Sequence, residues 1–171
     1  MGRKETSGTS NGTSGAPQTS LEQEQLANDM AQAEQKLIQE TEEMLFAQLD
    51  QANVKYTRGN VLFIARDETG QIVFLETGNE FAGFKHILKG HADDFKRALN
   101  LDKDDIPAYL KNVVQYGKVT YDKEVKKKNR TGFYREYYYG GEYYIITGIG
   151  TNGFMVSAYP SSKSKREGGN S

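Results

Sequence analysis

The sequence predicts an α+β fold in which two helices pack on an antiparallel four-stranded sheet. Three patterns lead to this prediction. Two segments in the middle of the chain repeat their apolar residues every three or four positions, which is typical of amphipathic helices. The segments after them alternate apolar and polar residues between glycines, which is typical of strands joined by turns. Residues 1–19 show neither pattern, and the mostly charged residues after them carry a narrow apolar stripe at helical spacing, so we expect a disordered tail and a long acidic helix to precede the folded domain.

The N-terminal part is predicted to be a tail followed by a helix. Residues 1–19 are mainly Gly, Ser, Thr and Asn, a composition that buries too little apolar surface to offset its chain entropy. Ser20 is placed as a helix N-cap, with Gln23 completing a capping box, so we expect residues 20–52 to form an acidic amphipathic helix. Its apolar stripe packs along the domain or pairs with a partner helix, and it comprises Leu26, Met30, Ala33, Leu37, Met44 and Leu45.

The folded domain is predicted to cover residues 53–160, with a polar tail at residues 161–171. The chain is only 36% hydrophobic, but its first twenty residues account for much of this deficit, so the domain can bury a modest core. Its first element is predicted to be a hairpin. Val61–Arg66 and Gln71–Glu76 are rich in β-forming residues, and the polar residues between them end in a glycine.

Two helices follow in the predicted order. Gly83 to Leu99 carries an apolar stripe at helical spacing. A second helix begins near Asp104, with Pro107 in its first turn and Gly117 just past its end. Proline is favoured in the first turn of a helix and glycine just after the last, so both positions agree with these bounds.

The sheet is predicted to be a meander. Gly140-Gly141 lies between two alternating segments and is a strong signal for a two-residue hairpin turn. Residues 123–131 are polar and strongly basic, and we expect them to form a loop. The predicted strands are Lys118–Tyr121, Phe133–Tyr139, Glu142–Thr147 and Phe154–Tyr159.

Composition excludes several classes of protein. The chain has no cysteine, which excludes disulfides, thiolate metal sites and a cysteine nucleophile. Its longest apolar run, Val61 to Ala65, is far too short to span a membrane. The N-terminus lacks the apolar stretch of a signal peptide. We therefore expect a soluble protein that acts in the cytoplasm, either of its own cell or of a target cell into which it is delivered.

The charge is distributed unevenly along the chain. Residues 1–50 carry three basic and nine acidic side chains, a net charge of −6, whereas residues 51–171 carry nineteen basic and fourteen acidic ones, a net charge of +5. A basic domain with an acidic arm is typical of a polyanion-binding protein with a separate partner segment. The simpler explanation for the arm is that long polar helices are often acidic.

The two histidines of the chain, His86 and His91, lie in one predicted helix. Cleavage of RNA without a metal needs one group to deprotonate the 2′-hydroxyl and another to protonate the leaving oxygen, and two histidines can share these roles. On a regular helix, however, positions five apart differ by about 140°. The alternative is therefore a buried structural His91 and an exposed surface His86. Without a clear third ligand the pair falls short of a zinc signature, so we predict no metal.

Gly148 to Gly153 matches the G-x-G-x-x-G pattern of dinucleotide-binding proteins. That site needs a helix directly after the glycines, because the helix N-terminus holds the pyrophosphate. Here a β-pattern follows, so we interpret the segment as a turn between strands and expect no cofactor.

Aromatic and basic residues crowd the predicted sheet. Tyrosines can stack on bases and lysines can contact phosphates, although cross-strand aromatic pairs also stabilise ordinary sheets. In the last strand Ser157 and Tyr159 share a face, where they either contact a phosphate or line a solvated surface. The tyrosines are Tyr134, Tyr137, Tyr138, Tyr139, Tyr143 and Tyr144.

Two segments resemble the barnase–EndoU–colicin–RelE-like nucleases, and the chain is most similar to the phage-associated and toxin members of that superfamily. They are Gly83–Leu88, followed by His91, and Gly153–Pro160. The resemblance covers roughly residues 55–160. It implies an endoribonuclease that uses 2′-hydroxyl attack, forms a 2′,3′-cyclic phosphate and needs no metal. His86 and His91 would then be the acid–base pair, and Ser157 and Tyr159 would bind or orient the phosphate. Many members have threonine where Ser157 stands, and both residues supply a hydroxyl.

The expected substrate and partners follow from the resemblance and from the uneven charge of the chain. We expect RNA, including transfer RNA, as the substrate, and a carrier, an immunity-type inhibitor or a second copy of the chain as a partner of the 20–52 helix. The alternative is a non-catalytic RNA-binding or protein-interaction module of phage origin with the same fold. The residues expected to bind substrate through their charge are Lys85, Lys89, Arg135, Lys126, Lys127 and Lys128.

Overall fold

A computed structural model describes residues 20–165 and confirms an α+β protein with an antiparallel four-stranded sheet. The predictions for residues 1–19 and 166–171 lie outside the described residues. Short 3₁₀ turns at Arg58–Asn60 and Lys103–Asp105 precede β1 and α3. The elements are α1 (Ser20–Gln51), β1 (Val61–Arg66), β2 (Ile72–Glu76), α2 (Phe84–Leu99), α3 (Ile106–Tyr116), β3 (Lys118–Lys127), β4 (Arg130–Tyr139), β5 (Tyr143–Gly150) and β6 (Met155–Ser161).

The chain forms two compact units, residues 1–41 and 42–171. In the first, the described residues form the greater part of α1, and its apolar stripe is exposed, with Met30 and Leu37 more than half accessible. None of the helices among residues 20–165 is long and apolar enough to cross a membrane.

The last turns of α1 belong to the second unit and supply part of its core. Leu45, Phe46 and Leu49 are buried against Ile64 and Phe74 of the two strands β1 and β2. Met44, which the sequence placed in the stripe, is exposed. The buried face of α1 therefore differs from the predicted apolar stripe, because Phe46 and not Met44 packs against the β1–β2 hairpin.

The strands form two sheets. β1 and β2 pair as an antiparallel hairpin, and β3, β4, β5 and β6 form a meander in that order. The backbone N–H of Phe74 donates to the carbonyl of Gly153 at 2.9 Å, which joins β2 to the turn before β6. The main core lies between the meander and the helices α2 and α3, and its members include Ile87, Phe95, Leu110, Val113, Tyr137, Ile145, Met155 and Ala158.

The basic segment 123–131 is not the loop that the sequence predicted. It forms the far end of a long hairpin in which Lys123 pairs with Tyr134 and Lys127 pairs with Arg130. Lys128 and Asn129 are the turn. Because this end of the hairpin is largely exposed, its strands lack the apolar alternation that marks a half-buried strand.

Gly83 and Gly153 have positive φ values where the backbone passes close to a neighbouring segment. Gly83 has a φ of 92°, and a Cβ there would lie 2.9 Å from the Cα of Gly78. Gly153 has a φ of 98°, and a Cβ there would lie 2.1 Å from the carbonyl oxygen of Ile72. The Gly83 N–H donates to the carbonyl of Val156 at 3.0 Å, so the start of α2 lies directly beside β6.

Candidate active site

The face of the sheet opposite the main core, here called the outer face, carries most of the candidate residues. Side chains at directly paired positions of antiparallel strands lie on one face, and alternate residues of each strand share it. Tyr137 and Ile145 point into the core. Their neighbours point the other way, and the register aligns Tyr134 with Gly148 and Ser157, and Glu136 with Ile146 and Tyr159.

His91 joins this surface from α2. Its Nδ1 donates to Oδ2 of Asp94 at 2.8 Å, one helical turn further on. Its ring stacks on Tyr159 with a centroid distance of 4.7 Å and an interplanar angle of 22°. The His91 side chain remains 27% exposed, and because Nδ1 holds the proton, Nε2 is the nitrogen able to accept one.

The carboxylate of Asp94 fixes the histidine. The hydrogen bond from His91, followed by the nearby charges of His91 and Arg97, lowers the pKa of Asp94 below its ordinary value. Arg97 also donates to Asp94, through Oδ1. Asp94 is therefore an anion at neutral pH, and an anion in this place stabilises the imidazolium that forms when His91 takes up a proton.

Two tyrosines extend the group toward the centre of the outer face. The hydroxyls of Tyr134 and Tyr159 are 3.5 Å apart. Burial, followed by the hydrogen bond to Tyr159, raises the pKa of Tyr134 well above its ordinary value, so its hydroxyl keeps its proton at neutral pH. The His91 group, meaning His91, Asp94, Tyr159 and Tyr134, thus combines a histidine and a carboxylate with two tyrosine hydroxyl groups.

His86 has different contacts. It lies in the first turn of α2, where its Nδ1 donates to the carbonyl of Glu80 at 2.9 Å. Helix α2 is continuous from Phe84 to Leu99, so the two histidines point in different directions, as their spacing predicts. The contacts from Gly83 to Val156 and from His91 to Tyr159 place the start of α2 and His91 beside β6.

A cleft of about 220 Å³ opens on the outer face beside Tyr134. Three glycines on neighbouring strands form its floor, since the register pairs Gly132 with Gly150 and Tyr134 with Gly148. The open space lies over Gly148, where a Cβ would meet no atom within 4 Å, whereas a Cβ at Gly132 would lie 2.7 Å from the carbonyl oxygen of Ile149 and one at Gly150 would lie 2.8 Å from Oδ1 of Asn152. The remaining lining residues are Val125, Lys127, Arg130, Thr131, Phe133, Ile149 and Val156.

Arg135 is not placed to bind substrate. Its side chain is only 2% exposed, and it binds Asp67 at 2.8 Å and Asp122 at 2.9 Å. The hydroxyl of Tyr137 donates to the same Asp67 oxygen at 2.6 Å. Arg135 therefore fastens the β1–β2 hairpin to the sheet. It lies on the core side of β4, whereas its charge and expected position had predicted a contact with substrate.

The predicted lysines lie on the surface. Lys126, Lys127 and Lys128 are exposed at the end of the β3–β4 hairpin, and Lys127 lines the cleft. Lys85 is exposed on α2, and Lys89 pairs with Glu80 at 3.2 Å. The sequence analysis missed Asp94, although the spacing of three between His91 and Asp94 on one helix was a signal for this pair.

Glu136 is a buried carboxylate that binds the C-terminal segment. It accepts hydrogen bonds from the hydroxyls of Thr120 and Ser164 and from the backbone N–H of Lys165, each at 2.6 Å. The side chain of Ser164 is itself buried. The segment predicted as a polar tail is therefore tied to the outer face as far as Lys165, whose Nζ lies 5.7 Å from the Tyr134 ring centroid.

Replacing Glu136 by alanine should lower the free energy of unfolding by about 1–3 kcal/mol, because it removes three hydrogen bonds that its carboxylate accepts. Urea denaturation of the full chain measures this change. Glu124, which is exposed on the neighbouring strand, gives the matched control, and Glu124→Ala should change stability by less than about 0.5 kcal/mol. Equal effects of the two substitutions would contradict an anchoring role for Glu136.

In comparisons with known proteins, no family model matches this chain, and none of the curated proteins matches it. Among residues 20–165, no three histidine, aspartate or glutamate side chains cluster in a way that could hold a metal ion. The functional interpretation therefore depends on the geometry of the His91 group and the surfaces around it.

Proposed function

We propose that this protein is an endoribonuclease that cleaves RNA by attack of a 2′-hydroxyl on the adjacent phosphorus, without a metal. The observation that carries this proposal is the His91 group. His91 is partly exposed, is held by an ionised carboxylate and stacks on a tyrosine, at the edge of a surface that bears several cations. These are the features expected of a general base.

In the proposed reaction, Nε2 of His91 takes the proton of the 2′-hydroxyl, and Asp94 stabilises the resulting imidazolium. The 2′-oxygen forms a bond to phosphorus while the bond to the 5′-oxygen breaks. The leaving 5′-oxygen takes a proton from a protonated histidine, a role that we assign to His86. The products are a 2′,3′-cyclic phosphate and a 5′-hydroxyl end. Because its pKa is raised, Tyr134 donates a hydrogen bond to the phosphate through its neutral hydroxyl, together with Tyr159 and Ser157.

Surface charge supports RNA as the substrate. The exposed end of the β3–β4 hairpin carries Lys126, Lys127, Lys128 and Arg130, next to the cleft and Tyr134. Such a cluster attracts a polyanion and makes its binding strongly dependent on salt. In this proposal the protein is an effector of phage or toxin type, and the acidic helix α1 binds its carrier, its inhibitor or a second copy.

The direct test is incubation of the purified full chain with a defined oligoribonucleotide in EDTA. We expect fragments ending in 2′,3′-cyclic phosphate, identified by mass spectrometry. The matched substrate carries a single 2′-deoxynucleotide at the cleaved position and should not be cut there. A folded wild type that leaves the oligoribonucleotide intact across pH 5 to 8 would overturn the proposal.

The tyrosines and lysines of the outer face also favour a second function, a non-catalytic RNA-binding module. It predicts retention of RNA at low salt with no cleavage, and a binding constant that falls steeply as salt rises. Absence of RNA binding even at low salt would exclude both functions.

A further inference from the structure

The glycine-rich segment Gly148–Gly153 is only partly the turn that the sequence predicted, because Gly148 to Gly150 end strand β5 and residues 151–153 form the turn. Its first two glycines, Gly148 and Gly150, lie on the outer face and form the floor of the cleft together with Gly132. We propose that this cleft binds one nucleobase of the RNA, beside the phosphate that is cleaved. The inference rests on the proposed function and adds to it the place where the substrate is held.

The shape of the cleft suits one flat ring system. Its volume of about 220 Å³ is below the range of roughly 300–1,000 Å³ that drug-sized ligands occupy. A floor of backbone without side chains lets a ring lie close to the sheet, and Tyr134 supplies an aromatic wall. Stacking of a base on such surfaces tolerates any base, since every base has a π-face.

The charge of the cleft favours a nucleotide over an uncharged ring. Lys127 and Arg130 are exposed where they line the cleft. Of the described residues, those that line it include no carboxylate. A base can therefore occupy the apolar interior while the phosphates on either side meet cations, which are the usual phosphate partners in nucleic-acid complexes.

The cleft is continuous with the His91 group. Tyr134 lines the cleft, and its hydroxyl lies 3.5 Å from the hydroxyl of Tyr159, whose ring stacks on His91. Val156 lines the opposite side and accepts the hydrogen bond from Gly83 at the start of α2. Two side chains, Tyr134 and Tyr159, thus link a nucleobase in the cleft to His91, the proposed general base.

Gly148 provides the test, because a Cβ added there meets no atom within 4 Å and therefore projects into open space. Gly148→Val fills the cleft without a clash between backbone atoms, and valine suits a strand. The probes are the four 3′-mononucleotides and ribose 5-phosphate, which lacks a base, each titrated into the full chain by calorimetry. Gly59→Ala is the control, since a Cβ at Gly59 is also in open space and lies outside the cleft.

We expect at least one mononucleotide to bind wild type and Gly59→Ala equally, to bind Gly148→Val at least tenfold more weakly, and to bind better than ribose 5-phosphate. Equal binding to wild type and a folded Gly148→Val would overturn the base site, as would equal binding of mononucleotide and ribose 5-phosphate. Cleavage of RNA by the same preparations separates the two proposals. If RNA is cleaved but binding does not depend on Gly148, the protein is a nuclease and the base site is wrong. If binding depends on Gly148 but RNA is not cleaved, the base site is supported and the nuclease proposal is wrong.

Discussion

Replacing Arg135 by leucine should lower the free energy of unfolding by about 3–5 kcal/mol, the usual effect of removing one partner from a buried ion pair. The substitution removes the cation from Asp67, whose side chain is fully buried, and from Asp122. An uncompensated carboxylate then remains in the protein interior, where its solvation by water is lost. The loss is measured by urea denaturation monitored by tyrosine fluorescence and by circular dichroism.

Arg130 is the matched control for this experiment. It lies on the same strand but is exposed, so Arg130→Leu should change stability by less than about 0.5 kcal/mol. A second variant that replaces Arg135 and Asp67 together should be more stable than Arg135→Leu alone, because it removes the stranded charge. A loss below about 1 kcal/mol for Arg135→Leu would show that the cluster does not hold the hairpin on the sheet.

Replacing His91 by alanine should reduce the kcat/KM for RNA cleavage by about 10²–10⁴-fold, the usual effect of losing a general acid–base group. His86→Ala should have an effect of similar size if it supplies the proton to the leaving oxygen. RNA binding at low salt should remain within about twofold of wild type in both variants, because the exposed lysines are unchanged. Cleavage rates and filter binding on the same preparations give the two measurements.

A purely structural His91 would give a different result. Its loss would lower stability through the stack on Tyr159 and would reduce binding and cleavage together. Asp94→Asn tests the same point, since it keeps the volume of the side chain but removes the charge that His91 meets. Asp93→Asn is the matched control on the exposed neighbouring position. Because the pKa of Asp94 is lowered, its carboxylate stays ionised between pH 5 and 8, so protonation of Asp94 should not limit the rate in that range.

Much of the fold follows from local signals in the sequence. Gly140-Gly141 predicts the β4–β5 hairpin, and both glycines have positive φ values, but the loop has three residues, 140–142, instead of the predicted two. The spacing of apolar residues predicts α2 to within one residue. The prediction of a loop at residues 123–131 was wrong because the strands there are defined by their pairing with each other and not by an apolar pattern in the sequence. Exposure of both sides of a hairpin removes the alternation on which strand prediction relies.

The candidate site was only partly predictable for a similar reason. The histidines stood out because they are the only two in the chain. The contact of His91 with Tyr159 joins positions far apart in sequence, and no local pattern encodes it. Arg135 shows the opposite error, because its charge suggested a phosphate while alternation along β4 turned it toward Asp67. The charge of a residue does not determine which face of a strand it occupies; the pairing register of the strand does.

The cluster around Arg135 also bears on how the chain assembles. Arg135 and Asp67 are 68 residues apart in sequence, whereas each strand of the meander pairs with the strand next to it along the chain. Local pairings close short loops at low entropic cost, and distant ones must close long loops before they gain any contact. The Arg135 guanidinium and the Asp67 carboxylate consequently lose their hydration when the β1–β2 hairpin packs on the sheet. The pair therefore couples burial of both charges to docking of the hairpin.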